Sequence, residues 1–143
     1  MRKCLMLLLS IFLFSFYVHA GNVEDSMEYA LEGTEAVLNN DVDKAVSLFE
    51  KAIELNPNNF IALSSLAGAY ADLKKDLNKG AELFRKSIEI EDNYAMSHFG
   101  LGITYAEMGE KEEARKEFEK TIAITDKEHI KGMARKALLM LEQ

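Results

Sequence analysis

The sequence predicts an all-α fold, a solenoid of three helix-turn-helix repeats followed by a C-terminal capping helix, and two observations predict it. First, three segments of the 143-residue chain align with Phe49, Phe84 and Phe118 in register, 35 and 34 residues apart. Second, apolar residues around each Phe recur every three or four positions, the period of an amphipathic helix.

The first twenty residues have the pattern of a signal peptide. Arg2 and Lys3 precede an almost unbroken apolar run from Cys4 to Val18, and Val18-His19-Ala20 resembles a cleavage site. The run is shorter than the ~20 residues that span a bilayer comfortably. We therefore predict cleavage after Ala20, export to the periplasm or the medium, and no stable membrane insertion of the mature chain; a retained N-terminal anchor is the alternative. Residues 21–25 are predicted to be a short linker.

Charge and cysteine content exclude several functional classes. The net charge is −7 at pH 7, and removal of residues 1–20, with Arg2 and Lys3, makes it −9. This excess of acid argues against nucleic acid as a partner. The single cysteine, Cys4, lies in the predicted leader. The mature chain therefore has neither a disulfide framework nor thiolate chemistry.

Each repeat pairs an apolar helix with a charged one. Residues 111–124 hold eight charged side chains, whereas residues 95–108 hold one, Glu107. A helix that is apolar on most faces must be covered on more than one side, so the first helix of each repeat is predicted to be the inner one. The repeats, which together occupy residues 26–128, are predicted to span residues 26–59, 60–94 and 95–128.

Turn and cap residues separate the predicted helices. Pro57 follows the outer helix of the first repeat, and Gly109 follows the inner helix of the third. Asp41 and Asp76 are placed to cap the outer helices that come after them. One extra residue near Lys75 is expected to lengthen the turn within the second repeat.

These residues resemble the tetratricopeptide repeat family. Its spacing is matched in the third repeat by Leu101, Gly102, Tyr105, Gly109, Ala114 and Phe118. The first repeat contributes Tyr29, Gly33, Ala45, Phe49, Ala52 and Pro57, and the second contributes Leu66, Ala67, Tyr70, Gly80, Phe84 and Ser87. His98 stands where the family commonly has Trp. The resemblance implies stacked helix pairs whose inner helices line a concave surface.

Residues 129–143 are predicted to form the capping helix that solenoids require. Its predicted apolar stripe consists of Ile130, Met133, Ala134, Ala137, Leu138 and Leu141. Basic residues outside this stripe contrast with the acidic start of the mature chain. That contrast is typical of solvated faces, and head-to-tail self-association is the alternative.

No catalytic, cofactor-binding or metal-binding pattern is recognised. The mature chain has two histidines, His98 and His129, which are not at metal-ligand spacing. Gly100 and Gly102 begin a dinucleotide-binding fingerprint, but the third glycine is missing and both lie inside a predicted helix. We therefore expect no enzymatic activity, no metal and no cofactor.

The resemblance implies that a partner protein binds the concave face. Carried over by position, the predicted contact residues are Met27, Ala30, Thr34, Ile61, Ser64, Met96, Phe99 and Ile103, with Val37, Gly68, Ala71 and Ala106 on the same face. The basic residues with which some family members clamp acidic chaperone tails are missing here. An apolar peptide or helix is the better match, because Met side chains adapt to its shape. The alternative is that this stripe is core packing or is hidden by the capping helix.

The predicted function is an exported, non-enzymatic scaffold or adaptor for another protein. Two alternatives remain open at this point. One is a self-associating structural protein of the cell envelope, and the other is an accessory subunit of an enzyme or of a secretion complex.

Overall fold

The structure is a computed structural model and describes residues 22–142. Seven helices make up this described part: α1 (residues 22–38), α2 (Val42–Leu55), α3 (Phe60–Gly68), α4 (Leu77–Ile90), α5 (Ala95–Met108), α6 (Lys111–Ile124) and α7 (Glu128–Leu141). No strand occurs within residues 22–142. The predicted all-α solenoid of three helix pairs and a capping helix is confirmed. The predicted signal peptide lies outside the described residues.

The prediction of a linker over residues 21–25 is wrong for residues 22–25, because helix α1 begins at residue 22. Residues 22–25 belong to the helix. They contain neither Gly nor Pro, and Glu24 and Asp25 lie in the described first turn, where acidic side chains are favourable. The family motif begins only near Ser26, which is why the pattern placed the helix start too late.

The second repeat accommodates its extra residue partly within the inner helix and partly in the turn that follows. After Gly68, the chain continues as a π-helical segment, Ala69–Leu73, in which the Lys74 amide donates to the Ala69 carbonyl at 3.1 Å. Lys75 follows with φ of +58°. A π-helical turn accommodates one additional residue without ending the helix. The insertion therefore widens the end of the inner helix instead of only lengthening the loop.

The outer helices α2 and α4 begin at the capping residues that the sequence predicts, Asp41 and Asp76. The Asp41 carboxylate accepts from the Lys44 amide at 3.3 Å, and the Asp76 carboxylate accepts from the Lys79 amide at 3.1 Å. Asn59 caps α3 in the same way, with its Oδ1 accepting from the Ala62 amide at 2.9 Å. These bonds satisfy amides that a helix start leaves without a partner.

The phenylalanines of the outer helices pack into gaps left by small residues. A Cβ atom added at Gly33 would lie 2.6 Å from Phe49 Cε1, and one added at Gly102 would lie 2.6 Å from Phe118 Cε1. In the second repeat the ring of Phe84 packs against Gly100 of the next inner helix, and Phe84 also shares a core cluster with Ala67. The contact with Gly100 joins the second repeat to the third.

Helix α7 closes the C-terminal end of the core. Ala134 is buried with Ala114 and Phe118, and Leu138 and Leu141 pack against this cluster. Met133, predicted to lie on the same stripe, is 40% exposed, because the buried side of α7 is centred on Ile130 and Ala134. In the described part of the chain, no helix has the length and apolarity needed to cross a lipid bilayer.

Candidate binding groove

Two adjoining cavities lie along the inner helices and form what we call the groove. The cavity between the second and third repeats has a volume of about 290 Å³ and is lined by Ser64, Ser65, Gly68, Asp72, Phe84, Tyr94, Met96, Phe99, Gly100 and Ile103. The cavity between the first and second repeats, of about 240 Å³, is lined by Thr34, Val37, Phe49, Ser65, Gly68, Ala69, Asp72 and Leu73. Ser65, Gly68 and Asp72 belong to both, so the cavities adjoin along α3 and the π-helical segment that follows it.

The groove contains five of the eight residues predicted to contact a partner: Thr34, Ser64, Met96, Phe99 and Ile103. Met27 is 38% exposed and Ile61 is half-buried, but neither lines a cavity of the groove.

The prediction that Ala30 contacts a partner is wrong, because Ala30 is buried. It is 4% exposed and lies in a core cluster with Ala52 and Ala62. Ala71, assigned to the same face, is also buried. A Cβ atom added at Gly80 would lie 2.7 Å from the Cβ atom of Ala71. At both positions the small methyl side chain lets two helices approach closely. The family spacing alone does not show whether such an alanine is buried between helices or exposed on the concave face.

Several groove residues were missed by the sequence analysis. Tyr94 lies in the turn before α5 and packs edge-to-face on Phe60, with ring centroids 5.0 Å apart. Phe84 comes from an outer helix and reaches the groove beside Gly100. The one available signal was Gly100 itself, since a residue without a side chain leaves space for a ring from the neighbouring repeat.

Phe99 and Ile103 line the groove and also pack against the core. Both pack against the buried cluster of Ala114, Phe118 and Ala134, and the rings of Phe99 and Phe118 have centroids 5.8 Å apart. The interpretation of this stripe as core packing is therefore partly correct. Met96, 38% exposed at the start of α5, is the large apolar side chain that the cavity between the second and third repeats leaves most open.

Asp72 is the one charged residue that lines either cavity. Burial raises the pKa of its carboxyl group, the negative charge of Glu107 raises it further, and the charge of Lys75 lowers it in part. The remaining lining is apolar apart from hydroxyl groups. The Thr34 hydroxyl already donates to the Ala30 carbonyl at 2.9 Å.

A larger cavity of about 490 Å³ lies on the outer side, over α3 and between α2 and α4. Its lining includes two lysines and two glutamates, Glu50, Lys79, Lys86 and Glu89, together with Ile90. Its mixed charge and its position on the outer helices separate it from the groove.

His98, which stands where the family commonly has Trp, holds a polar contact between α5 and α6. Its Nδ1 lies 2.6 Å from Glu117 Oε2, and its Nε2 lies 3.0 Å from the Asp92 carbonyl oxygen. The imidazole is buried, which is consistent with a structural role. Within residues 22–142, no group of three or more His, Cys, Asp or Glu side chains is arranged to hold a metal ion.

Two segments of the chain match family models described as tetratricopeptide repeat, at residues 29–59 and residues 83–116. The first match covers the first helix pair, and the second runs from α4 into α6. The chain therefore contains tetratricopeptide repeats. A comparison with curated protein sequences gave no match.

Solved structures with the same fold include three whose similarity extends over most of this chain. The first TPR of Spaghetti (RPAP3) bound to the HSP90 peptide SRMEEVD is 17% identical, with a TM-score of 0.74 over 85% of this chain and 96% of that one. The Arabidopsis OM64 TPR domain is 20% identical, with a TM-score of 0.75 over 85% and 97%. The Sgt2 TPR domain from Aspergillus fumigatus is 24% identical, with a TM-score of 0.71 over 82% and 76%. At these identities the likeness establishes the fold.

Proposed function

We propose that this chain is an exported, non-enzymatic scaffold or adaptor that holds an apolar segment of another protein in the groove. The observation that carries the proposal is that two mostly apolar cavities adjoin along the inner helices of three stacked repeats and share three lining residues. Grooves that bind peptides are concave and mostly apolar, with few polar groups. The Spaghetti (RPAP3) domain with the same fold is bound to a peptide, which supports a protein partner for this chain too.

A matched pair of substitutions tests the groove. Met96 lies in the groove and Ile90 lies at the outer cavity, and each is 38% exposed. Met96→Glu places a charge on the docking surface, whereas Ile90→Glu places the same charge elsewhere. After chemical crosslinking in the cells that make the protein, we expect Met96→Glu to lose partners that both wild type and Ile90→Glu retain. An identical set of partners for all three folded proteins would contradict the proposal.

Export is a separate part of the proposal, with its own test. The leader pattern of residues 1–20 supports it. The mass of the protein purified from its own cells should correspond to a chain that begins at Gly21. A mass that includes residues 1–20 would contradict cleavage and favour a retained anchor.

Self-association is a second candidate, favoured by where the exposed apolar side chains lie. Of the eleven large hydrophobic residues that are exposed in the described part, eight lie in the terminal helices: Val23, Met27, Leu31, Val37 and Leu38 in α1, and Met133, Leu139 and Met140 in α7. Between residues 22 and 38 the charged side chains are all acidic, whereas α7 carries Lys131, Arg135 and Lys136. Opposite charge beside exposed apolar surface is suited to head-to-tail contact between two copies.

Sedimentation velocity over a range of protein and salt concentrations tests this second candidate. Leu38 is 81% exposed on α1, so Leu38→Ser should shift the population towards monomer. Ile90→Ser, outside the terminal helices, is the matched control and should leave the distribution unchanged. A monomer at every protein concentration would exclude self-association as the function.

A further inference from the structure

The π-helical turn Ala69–Leu73 places a carboxylate at the junction of the two groove cavities. Asp72 lies in this turn and lines both cavities. The inner helices of the other two repeats end without such a turn. Single π-helical turns occur frequently at functional sites, where the additional residue changes the register of the side chains. The second repeat therefore differs from its neighbours at the point where the groove is charged.

Glu107 lines neither cavity, but its negative charge acts on Asp72. It corresponds in the third repeat to Asp72 in the second, because each lies five residues after the small residue of its inner helix, Gly102 or Ala67. The pKa of Asp72 is raised first by burial and then by the charge of Glu107.

Within residues 22–142 neither carboxylate forms an ion pair of 4.0 Å or less, but Lys75 lies close enough to Asp72 for its charge to lower the pKa of that carboxyl in part. Asp43, Asp92 and Glu117 are paired there with Lys or His side chains, but no ion pair includes Asp72 or Glu107. No Lys or Arg lines either cavity. In the described part of the chain, the groove thus combines apolar walls with one lining carboxylate, that of Asp72, whose charge Lys75 offsets only in part.

We propose that the groove binds a protein segment in which large apolar side chains flank a Lys or Arg, that Asp72 binds its cationic group, and that the charge of the nearby Glu107 strengthens this attraction. This inference rests on the proposed function, since it specifies the chemistry of the partner that the groove holds. The apolar side chains fill the cavities beside Met96 and Gly68, and the cation supplies the counter-charge at Asp72. An acidic tail, such as that of the peptide SRMEEVD, would meet charge of its own sign.

Three short amphipathic peptides with Leu at the same positions and Lys, Gln or Glu at the others test the inference by fluorescence anisotropy. We expect the Leu/Lys peptide to bind at least about fivefold more tightly than the Leu/Gln peptide, and the Leu/Glu peptide to bind most weakly. The double variant Asp72→Asn with Glu107→Gln should remove most of the advantage of Lys over Gln. The double variant Glu89→Gln with Glu119→Gln changes the net charge equally on the outer helices, and should leave that advantage within about twofold of wild type.

The outcomes separate this inference from the proposed function. Equal weakening by both double variants would overturn the inference, because the peptide would then be sensing only the overall acidity of the protein. Binding of the Leu/Gln peptide that depends on Met96 but shows no preference for Lys would also overturn it, while leaving the groove as a docking site. If no peptide binds, or if Met96→Glu weakens none of them, the proposed function fails together with the inference.

Discussion

His98 and Glu117 join the inner and outer helices of the third repeat through a contact of 2.6 Å between Nδ1 and Oε2. Burial opposes a charged imidazole, but the hydrogen bonds and negative charges of Glu117 and Asp92 outweigh it, so the pKa of His98 lies above its ordinary value of 6.5. A pKa that is higher in the folded than in the unfolded state means that protonation stabilises the fold. The stabilisation is fully present below pH 6.5 and is lost as the pH rises through the folded-state pKa.

Glu117→Gln should therefore destabilise the protein more at pH 6 than at pH 8. We expect the free energy of unfolding to fall by about 1 to 3 kcal/mol at pH 6, the range for a hydrogen bond to a charged group, and by less at pH 8. Urea denaturation at the two pH values measures both. The neighbouring exposed change Glu119→Gln is the control and should stay within about 0.5 kcal/mol of wild type. An equal loss at both pH values would show that His98 is not the titrating partner.

Two glycine substitutions should change stability in opposite directions. Gly102→Ala places a Cβ atom 2.6 Å from Phe118 Cε1, and we expect overpacking to exceed the gain in helix propensity and lower the free energy of unfolding by about 1 kcal/mol. Gly132 lies in α7 with nothing within 4 Å of an added Cβ, so Gly132→Ala should raise it by about 0.5 to 1 kcal/mol. Thermal unfolding followed by circular dichroism compares them. Stabilisation by both substitutions would disprove the close packing at Gly102.

Asn59 connects three helices through buried hydrogen bonds. Its Nδ2 donates to Ser26 Oγ at 2.8 Å, and Ser26 Oγ in turn donates to the Ala52 carbonyl at 2.7 Å. Because Asn59 also caps α3, Asn59→Ala should reduce the free energy of unfolding by about 2 kcal/mol. Asn58 is exposed, and Asn58→Ala is the control, with little expected change. Similar denaturation midpoints for the two variants would argue against this network.

Phe118→Ala should destabilise the whole described domain, not only its third repeat. The side chain is 0% exposed, and its truncation should cost about 3 to 5 kcal/mol. In a short repeat array, neighbouring repeats stabilise one another, so unfolding should remain one transition. Circular dichroism and tyrosine fluorescence should therefore report the same, lowered melting temperature. Two separate transitions would indicate that the repeats unfold independently.

Much of this fold was predictable from spacing, and the reason is visible in pairs such as Gly102 and Phe118. A small residue on an inner helix and a large one on the following outer helix recur at a fixed interval, so the sequence alone specifies which helices pack. The same rule does not reveal which neighbour a ring contacts. Phe84 packs on Gly100 of the next repeat and also shares a core cluster with Ala67, which occupies the position that is Gly in the other two repeats.

The groove was less predictable, because exposure depends on how the repeats stack. Ala30 and Met27 lie three residues apart on one helix, yet one is buried among other helices and the other is exposed. The insertion near Lys75 was evident in the sequence. Its accommodation as a π-helical turn that carries Asp72 into the groove depends on packing between α3 and α4, which no local pattern encodes.

Chemical-shift mapping by NMR tests the central claim most directly. On titration of the labelled protein with the Leu/Lys peptide, the largest amide shifts should come from the residues shared by the two cavities, Ser65, Gly68 and Asp72, and from Met96. The Asp72→Asn and Glu107→Gln double variant should show smaller shifts at the same positions. Shifts concentrated on the outer cavity, at residues such as Lys79, Lys86 and Ile90, or on helix α7, would contradict the assignment of the groove as the docking surface.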